Sequence, residues 1–284
     1  MKIKKLIIPV AGYGTRFLPV TKALPKEMLP ILDKPLVQYI VEEAVASGIE
    51  DIILVTGQNK RAVEDHFDYH PELEEWLKKT KKPAQLHEIR KIAQLANFIY
   101  IRQKGPYGNG TPVLNARHMI GDEPFAVAWG DDLFSCKVPR LRQMIEVYEK
   151  YQDPVLSAVR VAAEDTRRYG IIEGLEVEKG VFQIKRLKEK PGPKATDSRL
   201  ASIGSYILTP DIFDELQNTP LRDNELYLPD AIDRLLKRRS IYAKLIEGEY
   251  FDIGSKFGWL QANLSFALKD KSISGQLKRY LRKI

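Results

Sequence analysis

Apolar and polar residues alternate along the first 160 residues in a pattern that predicts strands and helices in turn. Short apolar runs between polar or glycine-containing segments predict buried strands at residues 6–10, 52–55, 98–101, 125–129 and 155–161. Apolar positions recurring at helical spacing predict helices at residues 36–45, 60–67, 72–79, 113–118 and 141–151. This βαβ succession implies parallel pairing with right-handed crossovers. The sequence therefore predicts an α/β fold with a mixed, mostly parallel central sheet, helices on both faces, and ligands beyond the carboxyl ends of the strands.

The pattern changes after about residue 165, where glycine- and proline-containing turns separate successive strands. Strands are predicted at residues 170–175, 181–188, 200–208 and 241–246, and helices at 229–238 and 255–268. The last helix is amphipathic, and the face expected to pack on the core carries Phe257, Leu260, Leu264 and Leu268. We interpret this half as a mixed extension of the sheet or a small second lobe.

Composition restricts the class of protein. The chain has 284 residues, of which 44% are hydrophobic and 29% charged, so a disordered chain is excluded. One cysteine, Cys136, excludes a disulfide framework and fits a reducing cytoplasm. No stretch approaches the roughly 20 apolar residues that span a bilayer. The net charge of +7 is compatible with nucleic acid, a membrane surface or small anionic ligands as partners, and the sequence lacks a basic–aromatic motif for nucleic acid.

The strongest chemical signal follows the first predicted strand, in residues 9–30. Gly12 and Gly14 are small enough for backbone amides to wrap phosphate oxygens. Arg16 adds a planar fork for phosphate, and Lys26 adds a point charge. A dinucleotide loop would have a third glycine and an immediate helix, and the Walker lysine pattern is also missing. The segment therefore predicts a site for a nucleoside triphosphate.

Three motifs in succession, GYGTR, PKEMLP and DKPLVQY, make the sequence resemble the sugar-nucleotide pyrophosphorylases, and among them the bacterial UTP–glucose-1-phosphate uridylyltransferases. The resemblance implies a Rossmann-like nucleotidyltransferase fold over residues 1–268. Its nucleotide-binding part would be residues 1–160 and its sugar-phosphate-binding part residues 161–268, followed by a basic helical tail, 269–284.

The resemblance assigns nucleotide-binding and catalytic roles to individual residues. RQKGPYGNG, residues 102–110, matches the uracil-reading segment, with Gln103 reading the pyrimidine edge and Gly108 letting the backbone approach the base. The nucleotide-binding residues that it implies are Ala11, Gly12, Gly14, Thr15, Gln103 and Gly108. The catalytic residues that it implies are Arg16, Lys26 and Lys190.

Later motifs match the sugar-phosphate and metal segments of the same family. RYGIIE, KEKP and NELYLPDAID imply the sugar-phosphate-binding residues Gly170, Glu189, Lys190 and Glu225. WGDDLF and FDIGSK imply that Asp131 and Asp252 hold Mg²⁺ together with phosphate oxygens. Without the resemblance, each residue also has a purely structural interpretation. Asp131 could cap a turn by accepting backbone N–H groups, and Asp252 could be the N-cap of a helix.

The implied activity is uridylyl transfer from UTP to glucose 1-phosphate, in a cytoplasmic homodimer or homotetramer with no membrane or nucleic-acid partner. Five positions depart from the family pattern, namely Asn109, Thr111, Pro112, Pro229 and Ser255. The first three border the base pocket, so a thymidylyltransferase or another sugar-1-phosphate nucleotidyltransferase stays an alternative. A non-catalytic nucleotide-sugar-binding regulatory protein is a more distant one.

Overall fold

Thirteen strands are found within residues 2–283, the part of the chain that the computed structural model describes. They are β1 (Lys5–Pro9), β2 (Pro30–Ile31), β3 (Lys34–Pro35), β4 (Asp51–Thr56), β5 (Asn97–Arg102), β6 (Phe125–Ala128), β7 (Asp132–Ser135), β8 (Val155–Arg160), β9 (Gly170–Glu178), β10 (Val181–Glu189), β11 (Leu200–Leu208), β12 (Tyr242–Leu245) and β13 (Glu249–Asp252).

Eleven α-helices accompany the strands within the same residues. They are α1 (Leu36–Ala46), α2 (Arg61–His66), α3 (Pro71–Lys79), α4 (Pro83–Ala93), α5 (Gly110–Asn115), α6 (Arg117–Ile120), α7 (Arg140–Tyr151), α8 (Ile212–Asn218), α9 (Leu228–Leu235), α10 (Lys256–Lys269) and α11 (Ser274–Leu281). Among the helices of residues 2–283, none has both the length and the apolar character that a membrane span requires.

Nine strands form one sheet in the order β5-β4-β1-β6-β11-β8-β12-β10-β9. Strands β5, β4, β1 and β6 run parallel to one another, and β8 runs parallel to β12, which is antiparallel to β10. Strand β11 is antiparallel to β6, β8 and β9, and β9 and β10 form a hairpin. The predicted mixed sheet is confirmed, but the expectation that it is mostly parallel is wrong. Within residues 2–283, four of its strand pairings are parallel and five are antiparallel, because β9, β10 and β11 add antiparallel pairs to the parallel strands around β1.

The sheet is covered on both faces, which explains the continuous apolar runs of its central strands. Leu6 and Ile8 of β1 belong to a core cluster that includes residues of α1 and α7. Ile7 points to the other face and belongs to a second cluster with residues of α5, α8 and α9. The predicted placement of helices on both faces is therefore confirmed.

The prediction for the buried face of α10 is wrong. Phe257 and Leu260 are 69% and 57% exposed, and Leu264 is exposed as well. The fully buried residues of the helix are instead small, among them Gly258 and Ala262, and the partly buried Trp259 and Phe266 pack beside them against the core. A Cβ on Gly258 would overlap the main chain at Asp252, so only a small-residue face fits this close approach. The large apolar side chains of the opposite face consequently point to solvent.

Candidate active site

Three adjoining clefts open where the parallel strands end. The glycine-loop cleft, about 520 Å³, is lined by residues including Gly12, Lys26, Gln103, Gly108 and Asp131. The arginine cleft, about 140 Å³, is lined by residues including Gly14, Thr15, Arg16, Lys26 and Asp131. The β9–β10 cleft, about 360 Å³, is lined by residues including Arg16, Gly170, Glu189 and Lys190. Such an edge is where α/β sheets ordinarily bind their ligands.

Most of the residues expected from the sequence line one of these clefts. Ala11 joins Gly12, Gln103 and Gly108 in the glycine-loop cleft. Two expected residues do not themselves line a cleft. Glu225 lies two positions before Tyr227, which lines the β9–β10 cleft, and Asp252 pairs with a residue of that cleft's wall.

The loop that carries Gly12 and Gly14, here called the glycine loop, does not lead into a long helix. It continues as short 3₁₀ turns at Thr15–Phe17, Val20–Lys22 and Lys26–Met28. Gly14 has a left-handed φ of +67°, and a Cβ there would lie 3.0 Å from Lys26 Cβ. The loop therefore folds back on itself, which brings Lys26 beside the glycines. This geometry differs from a dinucleotide loop, in which the glycines lead directly into a helix.

Asp131 is held between two cations. Lys26 Nζ lies 2.6 Å from Asp131 Oδ2, and Arg16 Nη2 lies 3.5 Å from the same oxygen. Burial by itself would raise the pKa of Asp131, but the charge and hydrogen bond of Lys26 outweigh it and lower that pKa. Asp131 is therefore a carboxylate near neutral pH, with Lys26 and Arg16 at the junction of the clefts.

The second acid of the pair has a different environment. Burial, and then the nearby charge of Asp131, raise the pKa of Asp132 to about 7. The Tyr250 hydroxyl donates to Asp132 Oδ1 at 2.6 Å. A Cβ at Gly204 would overlap Asp132 Oδ2, so the irregular register of β11 leaves the space that this side chain occupies. Asp132 is therefore tightly packed, unlike Asp131.

Asp252 reaches the same corner through a small two-stranded sheet. Strands β7 and β13 are antiparallel and pair Asp252 with Asp132. Arg168 Nη2 lies 2.5 Å from Asp252 Oδ2, and Arg168 lines the β9–β10 cleft. Arg168 belongs to the RYGIIE motif around Gly170, but nothing in that motif indicated that Arg168 would pair with Asp252, which lies far away in the chain.

A buried ion pair between Lys60 and Glu27 holds the backbone of the glycine loop in place. Lys60 Nζ donates to Glu27 Oε2 at 2.9 Å and to Gly12 O at 2.6 Å. Both side chains are almost fully buried, with exposures of 6% for Lys60 and 0% for Glu27. Because Glu27 follows Lys26 directly, the pair connects the segment that carries Lys26 to the Gly12 backbone. Sequence reasoning missed Lys60, which lies in a polar segment with no distinguishing signal.

The segment that the resemblance implies would read the base, residues 103–110 and here called the base-reading loop, is anchored at both ends. Gln103 N donates to Thr56 O at 2.8 Å at the end of β5. Gly108 has a φ of +110°, and a Cβ there would overlap Leu226 O. Across the cleft mouth, the Tyr13 and Tyr107 hydroxyls lie 2.8 Å apart. The loop thus presents Gln103 and bare backbone at Gly108 to the glycine-loop cleft.

The β9–β10 cleft places an acid and a base side by side. Gly170 and Glu189 are paired across the hairpin, and a Cβ at Gly170 would lie 3.3 Å from Glu189 Oε2. Lys190 adopts a left-handed φ of +46°, and its Nζ lies 3.3 Å from Glu189 Oε1. This arrangement can offer acceptors to hydroxyls and a cation to a phosphate within one small volume.

Comparison with known proteins gives consistent results. Residues 5–267 match the family model described as nucleotidyl transferase. The chain is 48% identical over 281 residues to UTP–glucose-1-phosphate uridylyltransferase of Bacillus subtilis (strain 168). That alignment covers 99% of this chain and 96% of the relative. It is 47% identical over 284 residues to UTP–glucose-1-phosphate uridylyltransferase 2 of Staphylococcus saprophyticus. That alignment covers 100% of this chain and 98% of the relative.

Solved structures agree with these relatives. The UTP-bound UGPase from Acinetobacter baumannii superposes with a TM-score of 0.93 at 36% identity, over 99% of each chain. A UDP-glucose pyrophosphorylase complexed with UDP-glucose superposes with a TM-score of 0.85 at 44% identity, over 94% of this chain and 100% of that one.

Proposed function

The chain belongs to the nucleotidyl transferase family, and on that premise we propose that it transfers the uridylyl group of UTP to glucose 1-phosphate, giving UDP-glucose and pyrophosphate. The observation that carries this conclusion is identity of nearly half, over almost the whole length, to enzymes named for this reaction. The three adjoining clefts support it, because the reaction needs places for a base, a triphosphate and a sugar phosphate.

UTP would occupy the glycine-loop cleft with its phosphates towards the arginine cleft. Gln103 can both donate to and accept from the uracil edge, and the Gly108 backbone, which lines the same cleft, would lie beside the base. Gly12, Gly14, Ala11 and Thr15 would supply small side chains and backbone around the phosphates. The position of Lys26 and Arg16 beside Asp131 supports a role in neutralising triphosphate and pyrophosphate charge.

Glucose 1-phosphate would occupy the β9–β10 cleft. Glu189 would accept sugar hydroxyls, and Lys190 would pair with the phosphate. Gly170 leaves room for the sugar beside Glu189. Glu225 stays a candidate for a second sugar contact, since it borders the segment that carries Tyr227.

The chemistry needs positioning more than proton transfer. An oxygen of the glucose 1-phosphate phosphate forms a bond to the α-phosphorus of UTP, and the bond from that phosphorus to the pyrophosphate oxygen breaks. The attacking oxygen is already ionised, so no general base is required. Arg16, Lys26 and Lys190 would bring the two anions together and stabilise the charge of the leaving pyrophosphate.

The residues present fit a divalent cation, whose use is general in this family. Mg²⁺ is ordinarily held by one or two carboxylates together with substrate phosphates. Asp131, an ionised carboxylate beside the phosphate cations, and Asp252, across β7 and β13 from Asp132, provide such a donor set. We propose that these two residues hold Mg²⁺, which when bound would offset charge on the phosphate oxygens.

The test is pyrophosphate release from UTP, dTTP, CTP, ATP and GTP with several sugar 1-phosphates, with and without Mg²⁺. UTP with glucose 1-phosphate should have the highest specificity constant. Because one methyl group distinguishes thymine from uracil, dTTP is expected as a slower substrate by about 10–200-fold. A purine preference would contradict the uridylyl assignment, and no turnover with any pair would contradict the enzyme assignment.

Two variants sharpen this test. Lys26→Met should remove most turnover, whereas Lys22→Met, at an exposed lysine of the same loop, should leave it unchanged. The division at residues 160 and 268, the cytoplasmic location and the homodimeric or homotetrameric state stay predictions.

A further inference from the structure

The base-reading loop runs alongside the segment that leads into α9. Leu226 N donates to Tyr107 O at 2.8 Å, and Gly110 N donates to Leu226 O at 2.9 Å. Between these bonds, Gly108 approaches so closely that a Cβ would overlap the Leu226 carbonyl. The two segments therefore form one backbone-bonded unit, although they come from different halves of the chain.

Asn109 adds a side-chain bond to this unit. Its Oδ1 accepts the Leu228 N–H at 2.7 Å. Leu228 is the first residue of α9, Tyr227 before it makes no side-chain cap, and Pro229 after it has no N–H to cap. Helices are usually capped by the residue that precedes them. Here the cap comes from the base-reading loop.

Asn109 also lies where two clefts meet. It lines both the glycine-loop cleft and the β9–β10 cleft. Tyr227 and Pro229, the neighbours of its hydrogen-bond partner, line the β9–β10 cleft. Loss of the Asn109 bond would therefore leave the Leu228 N–H, at the start of α9 and beside the β9–β10 cleft, without its acceptor, while the backbone bonds at Tyr107 and Gly110 still join Leu226 to the base-reading loop.

We propose that Asn109 is a positioning residue that ties the Tyr227–Pro229 wall of the β9–β10 cleft to the base-reading loop and thereby sets the affinity for the sugar phosphate. The inference rests on the proposed function for the identity of the two substrates.

Asn115 provides a matched control. Its Oδ1 accepts the Lys104 N–H at 2.7 Å, and its Nδ2 donates to Lys104 O at 3.0 Å. These bonds hold the start of the base-reading loop next to Gln103. They do not involve α9, so the same substitution at Asn115 should disturb the base side instead.

The experiment compares initial rates of pyrophosphate release for the unaltered chain and the variants Asn109→Leu, Asn109→Asp and Asn115→Leu. Each substrate is varied with the other saturating. Asn109→Leu should raise the KM for glucose 1-phosphate about fivefold, the size expected for one lost hydrogen bond, and change the KM for UTP less than about twofold. Asn109→Asp keeps an acceptor and should restore the KM for glucose 1-phosphate. Asn115→Leu should raise the KM for UTP instead.

An unchanged KM for glucose 1-phosphate in Asn109→Leu, equal rises in both constants, or no restoration by Asn109→Asp would each overturn the role. Asn109→Ala replaces Asn109→Leu in the comparison should the latter not fold, as judged by its thermal unfolding. Turnover in the unaltered chain separates the two hypotheses. Without turnover both fail, whereas normal turnover with insensitive variants refutes the positioning role alone.

Discussion

Replacing Lys60 by Met should destabilise the protein more than any exposed lysine substitution. The change keeps the aliphatic stem but removes the ammonium from two buried acceptors, Glu27 Oε2 at 2.9 Å and Gly12 O at 2.6 Å. Breaking a buried ion pair by removing one partner typically costs about 3–5 kcal/mol. Since whole domains are stable by only about 5–15 kcal/mol, the loss should be plain in urea unfolding.

A second variant separates the charge from the hydrogen bond. In the double variant Lys60→Met with Glu27→Gln, no unpaired charge is buried, and the main remaining defect is the Gly12 carbonyl without its donor. Such a group costs about 1–3 kcal/mol, so the double variant should be more stable than Lys60→Met alone by about 2 kcal/mol. Lys22→Met, at an exposed position in the same half of the chain, is the control.

The loss should also depend on pH. Burial raises the pKa of Glu27 even with Lys60 beside it, and removing Lys60 raises that pKa further. The folded variant then retains a proton that the unfolded chain releases above about pH 4.3, so its free energy of unfolding falls as pH rises. Urea unfolding at pH 5, 6.5 and 8 should show the largest destabilisation at pH 8. A loss below about 1 kcal/mol that is the same at all three pH values would refute this reasoning.

Three substitutions test the proposed site directly. Asp131→Asn should lower turnover by about a hundredfold or more, because a preorganised charge is lost, and normal rates at limiting Mg²⁺ would move the metal role to Asp132. Lys190→Ala should raise the KM for glucose 1-phosphate much more than the KM for UTP in steady-state assays, whereas Lys194→Ala, at an exposed lysine nearby, should change neither. Gly108→Ala should abolish UTP binding in calorimetry, since its φ of +110° and the overlap with a neighbouring carbonyl leave no place for a methyl group; binding within about twofold of normal would contradict this close approach.

The main sheet was predictable because its central strands are buried on both faces. Residues such as Ile7 and Leu54 have no polar face to maintain, so their segments appear as short continuous apolar runs. The small sheet of β7 and β13 was not predicted. Each of its strands has four residues, and the pairing joins segments far apart in the chain, which no local pattern reports.

The orientation of α10 shows a different limit. Its periodicity correctly predicts a helix, but large apolar residues lie on two sides of it. Gly258 lets the helix approach the strand end at Asp252 closely, and Trp259 and Phe266 pack against the core on that side. Phe257, Leu260 and Leu264 are consequently left exposed. The spacing of apolar residues does not by itself tell which of two apolar sides is buried.

Sequence reasoning selected residues whose own chemistry is distinctive, such as Gly12, Gly14 and Arg16, and the structure brings them to adjoining clefts. It missed residues that act through a distant partner. Arg168 reaches Asp252, and Asn109 reaches α9, across long separations in sequence. Such roles depend on tertiary contact and have no local signature.

The paired segments at Gly108 and Leu226 bear on how this enzyme can acquire new substrates. Gly108 and Gly110 cannot accept a side chain without displacing Leu226 or its neighbours, so a mutation there loses the fold of the loop before it gains anything. Tyr107 and Asn109, which alternate with them, carry side chains that the packing tolerates and that border the clefts. Mutations in this segment that keep the fold are therefore expected mainly at Tyr107 and Asn109. A library that varies these two positions and keeps Gly108 and Gly110 should yield mostly folded proteins with altered substrate range.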